Sequence, residues 1–211
     1  MSKLLELWNH PNTSYKKALW TVQADAFHFE YYESPRFGGN LIPWICGSKT
    51  GNEKRISRRF PKPSLTGQSL AWAFLFKLDD TSASDLVDIH LFSNKPALDN
   101  SVAGYQGYGM YFDGNDVARL RRYAGGDSVT SVIDPGWTSD TLEHLCVVSR
   151  QVSGANRYWR IYLDPPMYDL FDSSYLIGGP TDDATYSAAS HMGIRISTAN
   201  RQRVSSLYLQ W

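Results

Sequence analysis

The sequence contains little cysteine, no long apolar run and no excess of charge of either sign. Its two cysteines, Cys46 and Cys146, are too few for a disulfide framework or a cysteine-rich metal site. The 21 basic residues are matched by 21 acidic residues, so the chain lacks the positive excess with which nucleic-acid-binding proteins neutralise phosphates. No apolar run approaches the roughly 18 residues that a membrane-spanning helix needs. We therefore expect neither nucleic acid nor a membrane among the partners of this protein.

The N-terminal segment, MSKLLELWNHPNTSYKK, has neither the continuous apolar core nor the small-residue cleavage site of a secretion signal. This composition predicts a protein that is not exported by the general secretory route. Leu4, Leu5, Leu7 and Trp8 make the segment amphipathic with a helical periodicity. We interpret residues 1–18 as a short N-terminal arm, suited to docking on a neighbouring subunit, and residues 19–211 as one β-sandwich domain.

Alternation of apolar and polar residues, with a period of two, dominates the rest of the chain. Clusters of Gly, Pro, Asn and Asp separate the alternating segments, as in SPRFGGN, GGDS and IGGPTDD. Helical periodicity recurs only briefly, in PMYDLFDSS. Many short strands with regular turns indicate an all-β, antiparallel two-sheet β-sandwich or jelly roll. The predicted strands cover residues 20–33, 68–78, 85–93, 107–112, 116–124, 144–151, 156–164, 191–197 and 203–211.

The order of these segments resembles that of the concanavalin A-like (laminin G-like) jelly-roll superfamily. The resemblance begins with AFHFEYYES and LAWAFLFKLDD, and continues through DIHLFSN and GYGMYFDGNDVARLRRYAGG. The hairpin HLCVVSRQVSGANRYWRIYLD and the terminal HMGIRISTANRQRVSSLYLQW extend it over residues 20–211. Members of this superfamily include lectins, glycan-binding modules, glycoside hydrolases, polysaccharide lyases, and adhesion or virion proteins. The resemblance therefore implies a fold more specifically than a function.

The stretch GYGMYFDGNDVARLRRYAGG, residues 107–126, combines glycines, acids and arginines. Its glycines lie in a predicted strand that another strand follows, whereas a phosphate-binding loop leads into a helix. The DGND segment provides Asp113 and Asp116 as oxygen ligands suited to calcium, but such residues are also typical of a hairpin turn. We favour the turn and keep calcium, bound by Asp113 and Asp116, as the alternative; no other cofactor is indicated.

Arg, Tyr, His and Asp side chains alternate with the apolar positions of several predicted strands. We expect these polar residues to form one face of the sandwich, as a candidate ligand-binding face. Its members are Asp88, His90, Tyr111, Arg119, Arg121, Tyr158, Arg160, Tyr162, His191 and Arg195. Aromatic rings stack on sugars, and arginines bind hydroxyls or carboxylates, so the face suits a glycan. A solvated sheet surface and a protein interface are the alternatives.

The carboxylate pattern of a glycoside hydrolase is missing, since no Glu-x-Asp-x-Glu run occurs on a predicted strand. Short segments around Arg58, His90 and Tyr162 resemble the strand motifs of jelly-roll alginate lyases, but lack their glutamate, lysine and glutamine. There is also no nucleophile elbow and no spaced histidine pair. We therefore favour a non-catalytic protein and keep a polysaccharide lyase as an alternative.

These features together predict a recognition or assembly protein. We favour a phage-like virion structural or attachment protein, made in the cytoplasm and working in an oligomer or larger assembly. Its expected partners are a glycan or other subunits of the virion or surface. The alternative is a glycan-binding module of a cell-surface or polysaccharide-utilisation system.

Overall fold

The computed structural model describes residues 3–6, 21–24, 28–46, 54–60, 64–78, 86–96, 98–113, 117–138, 140–196 and 203–210. Within these ranges, fifteen strands form two antiparallel sheets, and short 3₁₀ turns lie at Pro35–Phe37 and Ser173–Tyr175. Neither turn is long and apolar enough to cross a bilayer, and the described ranges contain no other helix. The all-β, two-sheet architecture predicted from the alternation is confirmed.

Sheet A contains eight strands. They are β1 (Lys3–Glu6), β3 (His28–Ser34), β4 (Asn40–Cys46), β6 (Leu70–Lys77), β11 (Glu143–Ser153), β12 (Asn156–Leu163), β13 (Leu176–Asp182) and β15 (Arg203–Gln210). The order across the sheet is β13-β12-β11-β6-β15-β4-β3, and β1 also pairs with β15.

Sheet B contains seven strands. They are β2 (Thr21–Ala24), β5 (Lys54–Arg59), β7 (Leu86–Ser93), β8 (Gly107–Asp113), β9 (Val117–Gly125), β10 (Ser128–Ile133) and β14 (His191–Ile196). The order across the sheet is β10-β9-β8-β7-β14-β5-β2. Strands that are distant in sequence therefore become neighbours, as β14 does between β7 and β5.

The main core lies between the two sheets and is built largely from alternate residues of the central strands. Sheet A contributes Trp72 and Phe74, sheet B contributes Ile89 and Met110, and all four are buried. The Trp72 ring also stacks on that of Trp159, with 5.9 Å between ring centroids. Each fully buried large apolar side chain stabilises the fold by about 2–3 kcal/mol. Cys146 belongs to this core, and burial raises the pKa of its thiol well above the ordinary value, so the thiol is an apolar packing group.

A second apolar cluster lies on the outer face of sheet A, the face turned away from sheet B. Its buried members are Trp44, Ala73, Leu75, Leu145, Val147 and Tyr162. The β3–β4 hairpin contributes Trp44, and the loop between β12 and β13 adds Leu170. An ion pair between Arg36 and Asp164 connects the hairpin to the start of the loop, and the Ser34 hydroxyl donates to Glu143 of β11. The hairpin and loop thus cover part of the outer face and leave the rest of it open.

The structure differs from the sequence prediction in several segments. It adds β4, β5 and β10, and it divides the predicted strand 20–33 between β2 in sheet B and β3 in sheet A. The segment predicted to be helical at the N-terminus forms β1 at Lys3–Glu6, because pairing with β15 supplies backbone hydrogen bonds that so short a helix lacks. Residues 7–20 lie outside the described residues, so the separation of an N-terminal arm stays a prediction. The IGGPTDD segment, predicted as a turn, lies largely in β13, an edge strand in which glycine and proline are tolerated.

Candidate functional site

The residues predicted to share one polar face lie on opposite outer faces of the sandwich. Asp88, His90, Tyr111, Arg119, Arg121, His191 and Arg195 belong to sheet B, whereas Tyr158, Arg160 and Tyr162 belong to sheet A. The prediction that all of them point away from the core is right, but the prediction of one shared face is wrong. Alternation separates inward from outward positions and does not reveal which sheet a strand joins.

Part of the outer face of sheet B is buried beneath the loop that follows β7. The Tyr105 hydroxyl, from this loop, contacts Nδ1 of His90 at 2.5 Å, and the Tyr123 hydroxyl donates to Asp88 at 2.7 Å. Nε2 of His90 lies 3.3 Å from Asp88 Oδ2. Burial raises the pKa of Asp88, but His90, Tyr123 and the charge of Arg195 bring that pKa below its ordinary value. Asp88 and His90 therefore form a structural network and are closed to a ligand.

Glycines allow this loop to lie close to the sheet. At Gly193 an added Cβ would lie 2.4 Å from the Leu98 side chain and 2.3 Å from the backbone oxygen of Ile56. At Gly109 it would lie 2.9 Å from the Asp88 carboxylate. The glycines of GYGMYF thus serve close packing rather than the binding of an anion.

The exposed arginines of sheet B are already engaged. The Arg121 guanidinium lies over the Tyr111 ring, 3.2 Å from its centroid, and Arg119 forms a 2.7 Å ion pair with Asp134. Both arginines are partly exposed, and ion pairs in such positions contribute little stability. This part of the predicted face has the properties of a solvated sheet surface.

The outer face of sheet A carries a groove with a volume of about 350 Å³. Arg160 and Tyr162, both predicted to bind a ligand, line it. Tyr158 lies on the same face beside it, where its hydroxyl accepts a hydrogen bond from Asn156. The groove is lined by Ser69, Leu70, Ala71, Ser149, Arg150, Gln151, Arg160, Tyr162, Phe171 and Gln210.

The groove exists because small residues occupy the two central strands of this face. The strand register places Gln210 opposite Ala71, Ala71 opposite Ser149, and Ser149 opposite Arg160. The long side chains of Gln210 and Arg160 therefore flank the short ones of Ala71 and Ser149. The result is a depression across β15, β6, β11 and β12.

Aromatic rings form one end of the groove. Tyr162 is nearly buried on β12, and its ring meets that of Phe171 edge to face, with centroids 5.8 Å apart. Phe171 belongs to the loop between β12 and β13 and is 43% exposed. An exposed ring beside a polar groove offers an apolar surface on which a planar or ring-shaped ligand stacks.

Hydrogen-bonding side chains form the other part of the groove. Nη1 of Arg160 donates to Oε1 of Gln151 at 2.9 Å, which orients the guanidinium along the sheet. The Ser149 hydroxyl and the Gln210 amide add further polar groups. No described residue that lines the groove is acidic, and the charged residues among those described are arginines.

The loop that carries Phe171 is anchored at its start by Asp164. This carboxylate accepts from the backbone N–H of Leu145 at 2.9 Å and pairs with Arg36 and His144. Burial raises the pKa of Asp164, but these hydrogen bonds and charges bring that pKa below its ordinary value. A charged, multiply bonded Asp164 thus positions one wall of the groove.

Sequence reasoning missed most of the groove. Ser149 and Gln151 alternate with Val148 in the predicted strand 144–151, and that alternation was the signal available for them. Phe171 lies in PMYDLFDSS, whose helical periodicity is a wrong signal, because the structure has a loop there that ends in the 3₁₀ turn at Ser173–Tyr175.

The structure describes the residues of the lyase hypothesis but not the side chains of the calcium hypothesis. The Asp113 side chain and Asp116 lie outside the described residues, although β8 and β9 pair as a hairpin up to Asp113 and Val117. Among described residues, no group of three or more His, Cys, Asp or Glu is placed to hold a metal ion. A joint catalytic site of Arg58, His90 and Tyr162 is wrong, because His90 and Tyr162 occupy opposite outer faces and Arg58 lies in register with inward-facing Met192.

No protein-family model and no curated protein sequence matches this chain. Several solved structures are similar to it over most of both chains. A carbohydrate esterase of the Shiga toxin-encoding bacteriophage phi24B has a TM-score of 0.61 at 10% identity, covering 98% of this chain and 96% of that chain. The exoplasmic/lumenal domain of VIP36 in its Ca2+-bound form gives 0.56 at 13% identity, covering 98% and 88%.

The legume lectin-like domain from Entamoeba histolytica has a TM-score of 0.53 at 11% identity, covering 92% of this chain and 90% of that chain. At such identities the likeness shows the fold alone. The fold is the concanavalin A-like jelly roll, as the resemblance in the sequence implied.

Proposed function

We propose that the protein is a carbohydrate-binding module and that the groove on the outer face of sheet A is its binding site. The observation that carries the proposal is the composition of the groove. Phe171 and Tyr162 offer an aromatic surface at one end, and Arg160 and Gln151 offer directional hydrogen bonds beside them. Sugars present both an apolar ring face and a rim of hydroxyls, which match these two parts.

The fold supports the proposal by analogy. The VIP36 domain has been solved in Ca2+/Man-bound and Ca2+/Man3GlcNAc-bound forms. The botulinum neurotoxin serotype C1 binding domain also shares the fold, although this chain covers only 48% of it. The groove residues of this chain carry the proposal themselves, since the identity to each of these proteins is below 15%.

A glycan array with the purified protein tests the proposal. We expect specific hits whose affinity falls about fivefold to tenfold in Phe171→Ala, because an aromatic contact contributes roughly 1 kcal/mol. The matched control is Tyr168→Ala, which removes another exposed ring of the same loop that does not line the groove. Absence of hits, or equal losses in both variants, would contradict the groove as the site.

A virion structural or attachment protein is the more specific role within this proposal. The likeness to a phage-encoded carbohydrate esterase along 96% of that chain supports it. The expected location is then the virion, with the cell surface as the alternative. Light scattering after size exclusion is expected to show an oligomer, and labelled protein is expected to bind bacterial surface polysaccharide. A monomer that binds glycans but no bacterial polysaccharide would remove the virion role and leave carbohydrate binding intact.

A further inference from the structure

The charge of the groove indicates which sugars it takes. Several arginines elsewhere on the surface form ion pairs: Arg36 pairs with Asp164, and Arg55 pairs with Asp99 at 2.7 Å. Arg160 differs, because its hydrogen bond in the described residues goes to the neutral amide of Gln151. The described residues provide no carboxylate partner for its guanidinium. Within the described part of the chain, the positive charge of Arg160 therefore faces the groove without a compensating carboxylate.

The geometry of Arg160 leaves donors for a ligand. A guanidinium carries five N–H donors in a planar fork, and the contact with Gln151 occupies one of them. That contact also fixes the plane of the group, so less side-chain freedom is lost when a ligand binds. Two parallel N–H donors match the oxygens of a carboxylate or a sulfate.

A second arginine lies behind the floor of the groove. Arg150 follows Ser149 on β11, is 1% exposed, and donates from Nη1 to the carbonyl oxygens of Leu65 and Gln68 at 3.0 and 2.8 Å. Its burial, together with the charge of Arg157, lowers the pKa of Arg150 to about 10, so the group stays positive at neutral pH. Its observed partners are neutral carbonyls, so its charge adds to the positive potential of this part of the sheet.

We propose, on the basis of the carbohydrate-binding function above, that the groove binds an acidic saccharide without a metal ion. The Arg160 fork binds the carboxylate or sulfate of the sugar, and the apolar ring face of the sugar stacks on Phe171. Besides Leu70 and Ala71, the described residues that line the groove carry amides, hydroxyls, aromatic rings or guanidinium groups, and they include no carboxylate or imidazole ligand for a cation. Charge complementarity and the stacking surface thus select the ligand together.

Titration calorimetry with defined oligosaccharides tests this inference. The probes are a tetragalacturonate, its carboxyl-reduced neutral counterpart, and a κ-carrageenan tetrasaccharide, which carries sulfates and no carboxylate. We expect an acidic probe to bind at least tenfold more tightly than the neutral one, with affinity falling as salt rises and unchanged by EDTA. The carboxylated and sulfated arms separate the two sources of negative charge.

Point variants test whether Arg160 causes the preference for the acidic probe. We expect Arg160→Gln to remove the preference for the acidic probe, and Arg160→Lys to retain part of it, because lysine keeps the charge but not the fork. Arg119→Gln, an arginine on the outer face of sheet B, is the matched control and is expected to behave as wild type. A preference that survives in Arg160→Gln, or binding abolished by EDTA, would overturn the inference.

The outcomes also separate this inference from the function on which it rests. Equal binding of neutral and acidic probes, weakened by Phe171→Ala, would overturn the acidic specificity and keep the carbohydrate-binding function. Failure of every probe here and of every glycan on the array would overturn both.

Discussion

Nδ1 of His144 lies 2.6 Å from Oδ2 of Asp164, and Nε2 of the same ring lies 2.8 Å from Asp140. An imidazole with a carboxylate at each nitrogen donates both hydrogen bonds only when it is protonated. Burial lowers the pKa of His144, but the hydrogen bonds and charges of Asp164 and Asp140 bring that pKa above its ordinary value. The strand residue His144 thereby connects β11 with the start of the loop that carries Phe171.

This arrangement predicts that stability falls as the pH rises above about 6.5, the pKa of an unfolded histidine. Because the pKa of His144 is raised in the folded state, its contribution to stability is complete below that pH. The contribution is lost as the pH rises through the pKa of the folded state. We expect the urea midpoint of the wild type to decline between pH 6 and 9, and that of His144→Gln to decline less. Parallel pH profiles for the two proteins would contradict the prediction.

His191→Gln is the control for this pH profile. Burial and the charge of Arg59 lower the pKa of His191, so this residue contributes no loss of stability on going to alkaline pH. The variant is therefore expected to keep the decline of the wild type. At the acid end, the lowered pKa of Asp164 predicts a separate loss of stability as the pH falls below about 4.

The buried network of sheet B predicts a mutation that affects stability without affecting binding. His90→Gln breaks the contact with Tyr105 and alters the contact with Asp88, which is expected to destabilise the fold by about 1–3 kcal/mol. Arg119→Gln, at an exposed ion pair, is expected to change stability by less than about 0.5 kcal/mol. Urea unfolding and glycan titration measure both effects. A folded His90→Gln protein that no longer binds glycan would make sheet B the binding face.

The sequence predicts well on which side of a strand a side chain lies. It predicts less well which residues surround that side chain in space. Alternation correctly places Arg160 and Tyr162 on the outer side of β12, and Cys146 on the inner side of β11. It does not reveal that β12 lies in sheet A and β8 in sheet B, because sheet membership depends on pairing between strands far apart in the chain.

The position of the Phe171 loop illustrates why the rest of the site was not predictable. Asp164 holds the start of this loop through His144, 20 residues away, and Arg36, 128 residues away. Neither contact leaves a local pattern in the sequence. The β-sandwich and its apolar core were thus predictable, whereas the groove depends on long-range contacts and on the small size of Ala71 and Ser149.

The depression at Ser149 predicts that a larger side chain there blocks the ligand. Ser149 is partly exposed on the outer face of sheet A, so Ser149→Phe places a ring in the groove while the core keeps its packing. We expect glycan affinity to fall at least tenfold, about 1.4 kcal/mol, with little change in the urea midpoint. Ser131→Phe is the matched control, because Ser131 is exposed on β10 opposite Arg121 on the other sheet. If the Ser149→Phe protein is folded and binds as the wild type does, the ligand lies elsewhere, since a ring at this position occupies the centre of the groove.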